Sequence, residues 1–81
     1  MYVSIGADFA VRDRSIIGIF DLDNASWSKH TRNFLREAER QGEVVAISEE
    51  LPKSFLLTEE FGLNRVFLTQ CSPAALEKRV K

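Results

Sequence analysis

Ser26-Trp27-Ser28-Lys29-His30-Thr31-Arg32-Asn33-Phe34-Leu35-Arg36-Glu37-Ala38-Glu39-Arg40-Gln41, closed by Gly42, is the stretch on which the fold turns. Trp27, Thr31, Phe34, Leu35 and Ala38 fall at i, i+4, i+7, i+8 and i+11, which places them on one face of a helix. Ser26 or Ser28 can cap the free N–H groups at its start, and Gly42 stands where a left-handed residue commonly stops a helix. The spacing therefore predicts a helix over residues 26–41.

Working outward, the residues before the helix read as short β segments: Tyr2 to Ile5, a turn at Gly6-Ala7-Asp8, Phe9 to Arg12, and Ile16 to Phe20. The first two make a hairpin. After the helix come Glu43 to Ile47, Ser54 to Thr58 and Arg65 to Thr69, with a turn at Gly62-Leu63-Asn64. Ser72 then caps, and Pro73 opens, a short helix reaching Val80. The expected fold class is α+β: a small, mainly antiparallel sheet of five or six strands with one central helix and a short C-terminal helix. At 81 residues and 44% hydrophobic content, residues 1–81 can fill one core and form a single domain.

Ile16-Ile17-Gly18-Ile19-Phe20, Phe55-Leu56-Leu57 and Val66-Phe67-Leu68 are continuous apolar runs, the pattern of strands buried on both faces. Two helices can cover one face of such a sheet, so the other is expected to lie against a neighbouring subunit. Size points the same way, since a lone core of this length leaves only about 3–5 kcal/mol and small domains are usually reinforced. Cys71 is the only cysteine and His30 the only histidine, which excludes an intrachain disulfide and the usual zinc ligand sets. A homo-oligomer is the remaining source of buried surface, and no cofactor is expected. The N-terminal residues lack a basic leader region and no apolar run approaches a membrane span, so a cytoplasmic location without membrane contact is expected.

Catalytic patterns fail on inspection. Phe20-Asp21-Leu22-Asp23-Asn24 resembles the first motif of haloacid-dehalogenase-type phosphatases, but that chemistry also needs a magnesium site, a Lys, a second hydroxyl residue and a distal acidic pair. The chain is too short to supply them, and Asn24-Ala25 replaces the Gly-Thr of that motif. The same pair fails as a calcium loop because Ala25 occupies the third ligand position. Asp21 and Asp23 read instead as a polar turn into the helix. No Gly-rich phosphate loop or Ser/His/Asp set is present, so no enzymatic activity is expected.

The basic residues carry more. Lys29, Arg32, Arg36 and Arg40 recur at 3, 4 and 4 and form one stripe along the helix, where like charges repel unless an acidic partner meets them. Glu37 and Glu39 can neutralise Arg40 and Arg36 at i,i+3, leaving Lys29 and Arg32 unpaired along the helix. Arg12 and Arg14 flank a turn, and Lys53 precedes a strand. Eleven basic against twelve acidic side chains give a net charge of −1, so a nucleic-acid site must come from local clustering.

Met1-Tyr2, Gly6, Asp8-Phe9, Val11, Ile16-Ile17-Gly18-Ile19-Phe20-Asp21, Pro52-Lys53-Ser54, Thr58, Ser72-Pro73 and Leu76-Glu77-Lys78-Arg79 together resemble the RemB-type members of the RemA/RemB family. That resemblance implies a bacterial regulator of biofilm extracellular-matrix genes, with RemA-type relatives being DNA-binding activators that assemble into rings. It also implies positively charged loops repeated around a ring, so that weak phosphate contacts add through effective concentration. The chain departs from the RemA-type pattern where consecutive basic residues are expected: Glu49-Glu50-Leu51-Pro52 stand before Lys53, which alone keeps that character. Two functions follow as expectations. One is an oligomeric DNA-binding regulator using Arg12, Arg14, Lys29, Arg32 and Lys53 as candidate phosphate contacts; the other is an oligomeric adaptor acting through protein contacts alone.

Overall fold

The computed structural model describes residues 1–6, 8–22 and 29–80. Strands β1 (Tyr2–Gly6) and β2 (Phe9–Arg12) form an antiparallel hairpin, and a 3-10 turn at Asp13–Ser15 leads into β3 (Ile16–Asp21). Helix α1 (Lys29–Arg40) is followed by β4 (Val44–Ala46), β5 (Ser54–Glu60), β6 (Leu63–Thr69) and helix α2 (Pro73–Val80). The expected start of the long helix at residues 26–28, its Ser26 and Ser28 caps, the Asp23-Asn24-Ala25 turn and Ala7 lie outside the described residues.

The class is α+β as expected, but the six strands divide into two sheets rather than forming one. The β1–β2 hairpin stands apart, and the second sheet has the order β3-β5-β6-β4. Its β3–β5 and β5–β6 pairs are antiparallel, whereas β4 pairs with β6 in parallel. The division has a packing reason. Val3 and Ile5 of β1 are 1% and 0% exposed, because the hairpin lies over one face of the larger sheet instead of extending its edge. There Ile5 joins Ile47, Leu56 and Leu76 in one core, with Ile16, Ile19, Val45 and Phe67 packed around it.

Alternation along β5 sorts the other face. Leu56 points to the hairpin and α2, while Phe55 and Leu57 point to α1 and join Ala38, Val66, Leu35, Val44 and Leu68. Phe20, opposite Phe55 in the register, stacks on it at 4.7 Å between ring centroids, and Phe34 of α1 lies 6.3 Å from Phe55 on the same side. The continuous apolar runs thus have an explanation within one chain. Both faces are covered by its own elements, so the expectation that another subunit covers Phe55-Leu56-Leu57 or Val66-Phe67-Leu68 loses its basis.

Local chemistry sets the element ends. Gly42 has φ 74°, its N–H donates to the Glu39 carbonyl at 3.0 Å, and the next N–H, of Glu43, donates to the Ala38 carbonyl at 2.9 Å. This is the paired Schellman closure that left-handed geometry after a helix permits. At α2 the Ser72 hydroxyl accepts from the Ala75 N–H at 3.2 Å, with Pro73 at the first helical position.

The turn between β5 and β6 differs from the expected Gly62-Leu63-Asn64. Glu60 pairs with Leu63, so the turn residues are Phe61 and Gly62, with φ 54° and 77°. Two positive φ values across a two-residue hairpin loop match a type I′ turn, whose first position favours Asn, Asp or Gly. A bulky side chain there carries backbone strain of about 1–3 kcal/mol. Phe61 nonetheless holds its ring 87% exposed.

Thr69 joins the two sheets. It is 1% exposed, its hydroxyl donates to the Ile5 carbonyl of β1, and it accepts from the Cys71 N–H at 3.1 Å. Thr69→Val should cost about 1–3 kcal/mol by stripping two buried groups of that partner. Urea unfolding followed by circular dichroism checks it, and an unchanged midpoint would show that the hydroxyl links nothing of value.

Candidate nucleic-acid interface

Helix α1 turns Leu35 and Ala38 toward the sheet, and the 3.6-residue period leaves Lys29, Arg32, Arg36 and Arg40 exposed. Arg40 pairs with Glu37 at 2.9 Å, as the i,i+3 spacing predicts. Glu39 is not within ion-pair distance of Arg36; it lines a groove with Leu22, Leu35, Val44, Pro52 and Leu68. Lys29, Arg32 and Arg36 form no ion pair among the described residues.

Lys53 is fixed by its backbone rather than its side chain. Its N–H donates to the Thr69 carbonyl and its carbonyl accepts from the Leu22 N–H, both at 2.8 Å, pinning it where the ends of β3 and β6 meet the start of β5. Pro52, directly before it, shares the groove with Leu35 and Glu39 of α1, so the Lys53 loop abuts the helix that carries the basic stripe. Glu50 turns aside from Lys53 to accept from the Gln70 side-chain amide, and Glu49 stays exposed.

Arg12 and Arg14 lie elsewhere. Arg12 Nε is 3.4 Å from Glu60 Oε1, at the far end of β5 from Lys53. Seven residues of strand separate those ends, about 20 Å at ~3.3 Å per residue. The Arg12 guanidinium is also held charged, its pKa raised first by a hydrogen bond to the Tyr2 side chain and then by its charge interactions with Tyr2 and Glu60. Ser15, 4% exposed, donates to the other Glu60 oxygen at 2.9 Å, so one carboxylate gathers a cation and a hydroxyl. Arg14 is exposed in the 3-10 turn. The five candidate cations therefore fall into two groups: Lys29, Arg32 and Lys53 on the α1 side, Arg12 and Arg14 beside the β5–β6 turn. Glu60 as the partner of Arg12 had no sequence signal, since 48 positions separate them and only the β2-over-β5 packing brings them together.

His30 and Cys71 do not meet. His30 lines a small groove of about 260 Å³ with Phe20, Thr31, Phe34, Phe55 and Leu57 on the α1 side. Cys71 packs against the opposite core, where its sulfur accepts from Arg79 Nη1 at 3.5 Å. Asp21 is exposed at the end of β3. Among the described residues no group of three or more His, Cys, Asp or Glu gathers as a metal site, and no helix is long and apolar enough to cross a membrane.

A short exposed helix with an unpaired basic stripe, next to a backbone-pinned lysine loop, defines a small binding module rather than a pocketed site. Residues 2–80 match the RemA-like family, described as extracellular matrix regulatory protein A-like, and the chain belongs to that family. It is 32% identical over all 81 residues to extracellular matrix regulatory protein B of Bacillus subtilis (strain 168), covering 100% of this chain and 91% of that relative.

Proposed function

We propose that the chain is a non-enzymatic regulator of extracellular-matrix gene expression that self-associates and binds DNA through repeated weak phosphate contacts. Its membership of the extracellular matrix regulatory family supports the regulatory role. The observation that carries DNA contact is the exposed group of Lys29, Arg32 and Arg36, none of them paired, beside Lys53. Arg14 can add to such contacts at the edge, and Arg12 contributes least because Glu60 already neutralises it. Three or four cations per chain give only weak affinity, so this reading requires several copies held together to add their contacts.

A second reading, a cytoplasmic adaptor acting through protein contacts, is favoured by one specific observation: a net charge of −1, with Glu49 exposed close to Lys53 in the chain. Titration of promoter-length duplex DNA at a series of salt concentrations separates the two. The DNA reading expects tolerance of sequence and a log–log slope of about −0.9 per phosphate neutralised. Absence of binding at low salt would favour the adaptor.

A further inference from the structure

The geometry points to a self-complementary docking surface at the β5–β6 turn, where Phe61 of one copy seats in the groove beside the turn of a second copy. This rests on the reading of the chain as self-associating and names the surface that does it. Tyr2, Phe61 and Leu63 are 64%, 87% and 58% exposed, and all three border one groove of about 320 Å³ floored by Ala10, Val11 and Phe67. Its volume is roughly twice the ~150 Å³ that accommodates a benzene ring, so a phenyl side chain and part of a leucine fit together.

Backbone geometry gives a second, independent reason. Phe61 occupies a left-handed position that Asn, Asp or Gly would fill without strain, yet its ring contributes nothing to the core of its own chain. An aromatic ring held out in water at a conformational cost needs a partner to explain it. The groove's charges indicate which partner. Arg12 is answered by Glu60 and Met1 by Asp13, so the rim is nearly neutral apart from Arg65, and neither a polyanion nor a strongly basic surface is called for. The one exposed ring already shown to sit at the correct place is Phe61 of another copy.

Because knob and groove lie side by side, the exchange is reciprocal: each Phe61 enters the other's groove about a two-fold axis, and the contact closes after two chains. Burying two aromatic rings and Leu63 from each copy removes on the order of 800 Å², the low end for a specific interface, so association is expected to depend on concentration.

Phe61→Asn tests this without endangering the fold, since Asn suits the turn better than Phe. Sedimentation velocity over a concentration series should show the wild-type chain moving from 9.2 kDa toward larger species, with Phe61→Asn needing at least tenfold higher concentration. Its thermal midpoint in dilute solution should equal or exceed the wild type's. Leu63→Ser should shift association in the same direction. If the wild type is larger than 9.2 kDa and Phe61→Asn leaves its size unchanged, this surface is wrong while self-association stands. A wild-type mass of 9.2 kDa at every concentration overturns both. A lower dilute-solution midpoint for Phe61→Asn would overturn the claim that the ring is held at a cost.

Discussion

Leu56→Ala is expected to abolish cooperative unfolding of the isolated chain. Leu56 is 0% exposed and sits at the centre of the four-stranded sheet, opposite Ile19 on β3 and Phe67 on β6, with Ile5 and Leu76 in the same core. Truncating a leucine so enclosed costs about 2–5 kcal/mol, because the rigid sheet cannot collapse into the space. A core of this size supplies only about 3–5 kcal/mol in the absence of reinforcement. The loss is therefore comparable with the whole. Thermal circular dichroism of the variant in dilute solution should show a broad, shallow transition; a sharp transition close to the wild-type midpoint would mean that the inner core is not the main stabilising element.

The Arg32→Glu, Lys53→Glu double reversal is expected to lower DNA affinity by at least two orders of magnitude at low salt. Each reversal removes a phosphate contact and substitutes a repulsive charge, and in an assembly it does so in every copy at once. Both side chains are exposed and free of ion pairs among the described residues, so the fold should survive the change. Arg12→Glu offers the contrast. It would set two carboxylates together at Glu60, weakening the seam between the hairpin and the sheet more than any contact with nucleic acid. Fluorescence anisotropy with a labelled duplex, alongside thermal melts, reads both effects. Equal losses of affinity from Arg12→Glu and from the double reversal would show that the two groups of cations act as one surface.

Much of the local structure was legible because local chemistry decides it. Gly42 announced the end of α1, Ser72-Pro73 announced α2, and the Glu37–Arg40 pair followed from its spacing. What failed needed contacts distant in sequence. The apolar runs correctly signalled burial on two faces, yet nothing local says that residues 2–12 fold over the sheet, and a neighbouring subunit was the natural substitute. The turn at Phe61-Gly62 was displaced by two positions because phenylalanine gives no turn signal and Asn64 gives a strong one; the register of Glu60 with Leu63 overrules both. For the candidate site, each cation could be found from sequence but their grouping could not. Lys53 and Arg12 both border β5, and only the strand's length shows that they stand at opposite ends of it.

The closure of the hairpin against α2 bears on how the protein is made. Ile5 meets Leu76 in the inner core, and the Arg79 guanidinium donates to the Ser4 carbonyl at 3.0 Å across 75 positions of chain. Translation proceeds from the N-terminus, so β1 emerges first and its last partners emerge only when residues 73–80 have cleared the ribosome. Until then Val3 and Ile5 have an incomplete cover, and the nascent chain presents apolar side chains to the cytosol. Completion of the fold is thus tied to release rather than to elongation, and a long fusion placed after α2 would lengthen the interval between the two.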